Sequence, residues 1–109
     1  MKDRDKKIEE MQILEQNLQN ILYQKQAFQM EISETQSALK EIEESKDDVF
    51  KIVGQLMVKT DKKKVLDELS NKEKILNLRI KSIEKQENSF LERLESLREE
   101  VIESNKNNS

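Results

Sequence analysis

The chain has 109 residues, 39% charged and 34% apolar, and its 23 acids and 20 bases leave a formal net charge of −3. It contains no cysteine and no histidine, which excludes disulfides, thiol nucleophiles, imidazole bases and the usual zinc ligands. So small a net charge offers no bulk attraction to a polyanion, and tracts rich in Glu, Lys, Leu and Ile are those of long helices that bury little surface alone.

The chain opens on Met1-Lys2-Asp3-Arg4-Asp5-Lys6-Lys7, which is charged and leads into no apolar core segment, so no signal peptide is expected. No stretch approaches the roughly 18 consecutive apolar residues of a membrane span. A soluble, cytoplasmic protein that engages no membrane is the expectation. Carboxylates are plentiful, but no loop gathers them at the spacing of a calcium site, so neither a metal nor a cofactor is expected.

A first helix is predicted over about 3–45. Counting from Met11, its a positions are Met11, Leu18, Lys25, Ile32 and Leu39, and its d positions are Leu14, Ile21, Phe28, Thr35 and Ile42. Eight of these ten are apolar, a strong coiled-coil pattern.

A β-hairpin is predicted over about 48–60. The only glycine, Gly54, lies at the centre of Val49-Phe50-Lys51-Ile52-Val53-Gly54-Gln55-Leu56-Met57-Val58-Lys59, and proline is absent throughout. A two-residue Gly54-Gln55 turn fits type II′, which takes glycine first. The pairs are then Val53–Leu56, Ile52–Met57, Lys51–Val58, Phe50–Lys59 and Val49–Thr60. One face carries Val49, Val53, Leu56 and Val58, and the other carries Phe50, Ile52 and Met57. A lone hairpin is marginal in water, and open edges with apolar faces invite further strands. Either the hairpin folds back on its own helices or other subunits cover it. Two slender helices offer little cover, which favours assembly.

A second helix is predicted over about 61–104, with Thr60 or Asp61 as its N-cap. Its a positions are Leu66, Glu73, Ile80, Glu87, Leu94 and Val101, and its d positions are Leu69, Leu76, Ile83, Phe90 and Leu97; nine of the eleven are apolar. Lys62, Lys63 and Lys64 oppose the helix dipole there. With Lys59 they form either a solvated helix start or a small nucleic-acid patch. No aromatic or glycine-rich companion supports the patch, and no nucleic-acid partner is expected. The closing Asn107-Asn108-Ser109 matches a glycosylation sequon, which is read as chance.

Arms of about 40 residues are about 60 Å long, and the short link between them requires antiparallel packing. Centring the fold on Gly54 sets ten layers: Met11–Leu97, Leu14–Leu94, Leu18–Phe90, Ile21–Glu87, Lys25–Ile83, Phe28–Ile80, Ile32–Leu76, Thr35–Glu73, Leu39–Leu69 and Ile42–Leu66. Each pairs an a with a d. Lys25 then lies one layer from Glu87, and Thr35 faces Glu73. These polar residues either lock the register, at some cost in stability, or reach out to water.

The whole chain, 1–109, thus reads as a single mainly α domain: a long antiparallel coiled-coil hairpin with a central β-hairpin at the helix–helix connection. The hairpin segment Phe-Lys-Ile-Val-Gly-Gln-Leu-Met-Val-Lys between long helices resembles the beta class of prefoldin subunits. Gln24-Lys25-Gln26, Ser33-Glu34-Thr35-Gln36-Ser37-Ala38-Leu39 and Arg79-Ile80-Lys81-Ser82-Ile83-Glu84-Lys85-Gln86-Glu87 are similar to archaeal members. Eukaryotic beta-class subunits share the plan, whereas alpha-class subunits have two hairpins. One departure is the charged start, where many relatives have a Pro-containing segment. The resemblance implies a hetero-hexamer of two alpha and four beta subunits, joined through hairpin β-barrels. Such a complex captures unfolded proteins without ATP and passes them to a group II chaperonin.

On this reading the assembly residues are Val49, Phe50, Ile52, Val53, Gly54, Leu56, Met57 and Val58. Client contacts are expected at the helix ends, from Ile8, Met11, Ile13, Leu14, Leu94, Leu97, Val101 and Ile102, with methionine suited to promiscuous apolar contact. Several of these also finish the seam; Ile13 and Ile102 lie off it, which favours binding. A structural tether would explain the heptads but not the two-faced hairpin, and an enzyme lacks any catalytic constellation.

Overall fold

The computed structural model describes residues 2–107, so the last two residues of the sequon lie outside it. The element order is α1 (Lys2–Glu44), β1 (Val49–Val53), β2 (Leu56–Thr60) and α2 (Lys62–Asn107). The chain divides into two compact units. One joins the residues up to Gln26 with those from Lys81 onward, and the other is Ala27–Ile80.

In the first unit α1 and α2 run antiparallel around Leu14, Leu94 and Leu97, with Met11, Leu18 and Phe90 packed against them. These six are the three outermost predicted layers. Ile21 and Ile83 continue the buried seam. Charged pairs flank it: Arg93 forks onto Glu10 through Nε at 3.0 Å and Nη2 at 3.3 Å, and Arg98 meets Glu15 at 3.7 Å. The Glu10 hydrogen bond and its negative charge raise the Arg93 guanidinium above its ordinary value. In heptad terms Glu10 and Arg93 are both g, and Glu15 and Arg98 are both e. Matching letters face each other only when the helices are antiparallel, and these partners fit the proposed register rather than one a heptad away.

The second unit buries Ile32 and Leu76, which share a predicted layer, and pairs Glu31 with Lys72, again g to g, at 3.4 Å. Thr35 is also buried, but its hydroxyl donates to the Glu31 carbonyl one turn back in its own helix at 2.8 Å. Of the two alternatives for Thr35, a register lock with Glu73 or a reach to water, the hydroxyl takes neither and bonds within its own helix. A threonine in a helix can satisfy its hydroxyl locally, and this one does.

The link between α1 and β1 needs no glycine. The Ser45 amide donates to the Ile42 carbonyl at 3.3 Å, and the Asp47 amide donates to Ser45 Oγ at 3.2 Å. α1 has no basic residue in its own last turn. Lys62 supplies one from the start of α2, donating to the carbonyls of Glu43 at 3.3 Å and Ser45 at 2.8 Å. A helix C-terminus leaves carbonyls unpaired and carries partial negative charge. A lysine badly placed for the dipole of α2 is thus well placed for that of α1. Asp61, not Thr60, caps α2: its Oδ1 accepts from the Lys63 amide at 3.3 Å, and its carbonyl accepts from Val65 at 3.1 Å. Thr60 closes β2 instead.

Candidate functional site: the hairpin and the helix ends

β1 and β2 pair antiparallel in the register Val49↔Thr60, Phe50↔Lys59, Lys51↔Val58, Ile52↔Met57 and Val53↔Leu56. Gly54 has φ of +63°, and no other described residue has positive φ. A type I′ turn needs positive φ at both central residues, whereas type II′ needs it only at the first. Type II′ is the turn formed. A side chain at Gly54 would meet no atom within 4 Å, so the requirement for glycine is conformational.

The hairpin does not fold back under its own helices. Phe50, Ile52, Val53, Leu56, Met57 and Val58 are all exposed, from 48% at Val58 to 73% at Ile52. Only Val49 and Thr60, at its base, are half-buried. Lys51 reaches Glu68 of α2 at 3.7 Å, and Lys59 pairs with Asp48 at 3.4 Å. The basic cluster of the sequence is thereby broken up: Lys59 serves the hairpin base, Lys62 caps α1, and Lys63 and Lys64 remain at the surface.

At the helix ends the eight expected client residues divide. Leu14, Leu94 and Leu97 are buried against one another, so they finish the seam and cannot meet a client while the helices stay paired. These three take the seam role that the sequence also allowed, and would reach a client only where the helix ends fray. Ile8, Met11 and Val101 are half-buried. Ile13 and Ile102, which lie off the heptad seam, are 53% and 54% exposed. Lys7 of α1 and Glu100 of α2 pair at 3.4 Å.

The polar seam residues behave differently from one another. Lys25 Nζ donates to Glu87 Oε1 at 3.3 Å, with side chains only 24% and 22% exposed. This is the least exposed of the ion pairs, and it joins the two residues expected to couple.

Sequence reasoning missed further exposed apolar residues: Leu22, Tyr23 and Met30 on α1, and Ile75, Leu78 and Leu91 on α2. The signal that singled out Ile13 and Ile102, an apolar residue away from a and d, applies to each of these as well.

Among the described residues, no helix is long and apolar enough to cross a membrane, and no three acidic side chains gather as a metal site would need. The family described as Prefoldin subunit matches residues 5–108. The prefoldin subunit beta of Thermococcus onnurineus (strain NA1) is 40% identical over 89 residues, covering 80% of this chain and 77% of the relative. That of Pyrococcus furiosus is 36% identical over 94 residues, covering 84% and 80%. The crystal structure of the prefoldin beta subunit from Thermococcus strain KS-1 superposes with a TM-score of 0.87 at 36% identity, covering 94% of this chain and 91% of that one. The beta2 subunit of the same strain, at 19% identity, shares the fold with a TM-score of 0.69 over 79% and 94%. Two heptad helices, a type II′ hairpin left bare by its own chain, and a match spanning nearly every residue lead to one assignment: the chain belongs to the prefoldin subunit family.

Proposed function

We propose that this chain is a beta-type subunit of a cytoplasmic hetero-hexamer, two alpha and four beta, that holds unfolded proteins without ATP. It then passes them to a group II chaperonin. As a family member the chain is a chaperone component and not an enzyme. The observation that carries the reading is the hairpin, where six apolar side chains stand exposed on a turn built to hold them there. Burying one such side chain is worth roughly 1.5–3 kcal/mol, so the hairpin is a surface for association. Val49, Phe50, Ile52, Val53, Leu56, Met57 and Val58 make that contact, and Gly54 sets the turn.

Clients bind at the helix ends, through Ile13 and Ile102 with help from Ile8, Met11 and Val101. Each contact is weak, and several arms acting together supply the affinity. A tether without chaperone activity leaves these exposed residues without a role. The test is suppression of aggregation of a chemically denatured protein by this chain assembled with an alpha-class subunit. Protection in the complete absence of nucleotide is expected. No protection at any ratio, or protection only with ATP, defeats the proposal.

A further inference from the structure

The charge of the chain is unevenly spread. Between Met11 and Met30 only Glu15 and Lys25 are charged and eight of the twenty residues are Asn or Gln, in a chain that is 39% charged. Both charges are matched from α2, Glu15 by Arg98 at 3.7 Å and Lys25 by Glu87 at 3.3 Å. This length of α1 therefore shows solvent a neutral face rich in carboxamides. Coiled-coil packing does not ask for one, because it constrains the a and d positions and leaves the outer ones open to charge.

Four of the carboxamides gather. Asn17, Asn20 and Gln24 follow the i, i+3, i+7 spacing of one helical stripe, and with Gln86 of α2 they line a groove over Ile21 and Phe90. All six residues belong to the same compact unit. Asn20, Gln24 and Gln86 are exposed and Asn17 is half-buried. Among the described residues, none of the four amides is engaged by another side chain.

The charge and hydrogen-bonding character of such a groove select its occupant. A carboxamide carries a donor and an acceptor and no charge, which complements the peptide N–H and C=O and favours neither acidic nor basic side chains. In a folded protein those backbone groups are already paired within the molecule, whereas an unfolded chain presents them free. The stripe from Asn17 to Gln24 is about 10 Å long, the length of about three residues of extended chain.

We infer that this groove is a client subsite, which takes the backbone of a short, extended, uncharged stretch of unfolded polypeptide. The inference rests on the client-holding role proposed above. It adds a way of telling unfolded from folded protein through the backbone, beside the apolar contacts of Ile13 and Ile102.

The test uses the chain assembled as in the aggregation assay and two fluorescent peptides of one uncharged, serine- and valine-based sequence. One peptide is N-methylated at alternate backbone amides, which removes donors and keeps every side chain. By fluorescence anisotropy, wild type should bind the unmodified peptide roughly tenfold more tightly, the loss of a few net hydrogen bonds. Added salt should change this little. Asn20→Ala/Gln24→Ala/Gln86→Ala replaces exposed residues with the best helix former, so circular dichroism should be unchanged, and the preference between peptides should disappear. Equal binding of both peptides by wild type overturns the inference, as does a preference that survives in the triple variant. A photo-crosslinker at Gln24 that joins two copies of the chain without any peptide also overturns it, by giving the groove another occupant. A wild-type assembly that protects a denatured protein yet binds neither peptide removes the subsite and leaves the holding role standing; one that does neither removes both.

Discussion

Gly54 and the Lys25–Glu87 pair are the two places where single residues decide structure. At φ +63°, Gly54 sits where an L side chain is disfavoured by roughly 1–2 kcal/mol. Space is not the constraint, since nothing lies within 4 Å of a side chain there. Gly54→Ala should therefore weaken the hairpin by about 1 kcal/mol, with Gly54→Asn less harmful because asparagine tolerates positive φ. Amide exchange of the β1 and β2 amides reads this out, and equal protection in all three proteins would refute it.

The Lys25–Glu87 pair, at 3.3 Å and mostly withdrawn from solvent, differs from the other ion pairs, whose exposure makes them weak contributors. A double-mutant cycle with Lys25→Met and Glu87→Met should give an interaction above roughly 0.5 kcal/mol. Additive effects would show that the pair does not couple across the seam. Because Thr35 satisfies itself within α1, the pair is the polar contact between seam residues, while the flanking Glu10–Arg93 and Glu15–Arg98 pairs distinguish this register from a slip by one heptad.

At the scale of elements, the helix ends are stitched to one another. Lys62 lies in the first turn of α2, where a cation is unfavourable, yet its ammonium caps the carbonyls of Glu43 and Ser45. Lys62→Met should cost roughly 0.5–1.5 kcal/mol, whereas the exposed Lys63→Met and Lys64→Met should be neutral or slightly stabilising. Urea unfolding of the three variants ranks them. Equal effects would mean that Lys62 acts only as a charge.

The heptads, the strand pairing and the turn were legible because each depends on local periodicity or on a single residue's backbone freedom. The Lys62 cap was not, because it joins residues 17 and 19 positions apart through a lysine that local rules mark as misplaced. The choice of Asp61 over Thr60 depended on where β2 ended. The candidate client site was legible only in part. Heptad letters identify which residues are apolar, but burial decides which are free, and Leu14, Leu94 and Leu97 are not.

At the scale of the whole molecule, the division between packing and binding follows from the same letters. Residues at a and d are used up by the partner helix, so a chain with so little core must do its further work through residues elsewhere. Ile13 and Ile102, at c and b, are the exposed apolar residues nearest the helix ends. Replacing both with Ser removes roughly 1.5–3 kcal/mol of burial per side chain from any client contact, while costing the seam nothing, because Leu14, Leu94 and Leu97 stay packed. Deleting the helix ends would confuse the two roles by removing core together with surface. The double variant should therefore keep its thermal midpoint and its assembly but lose most protection of a denatured client, since the loss recurs on every arm that the client touches. Full protection by a stable, assembled Ile13→Ser/Ile102→Ser protein would move client contact to the exposed residues elsewhere on the helices, such as Leu22 and Leu91. A fall in thermal midpoint would show instead that these two isoleucines belong to the packing.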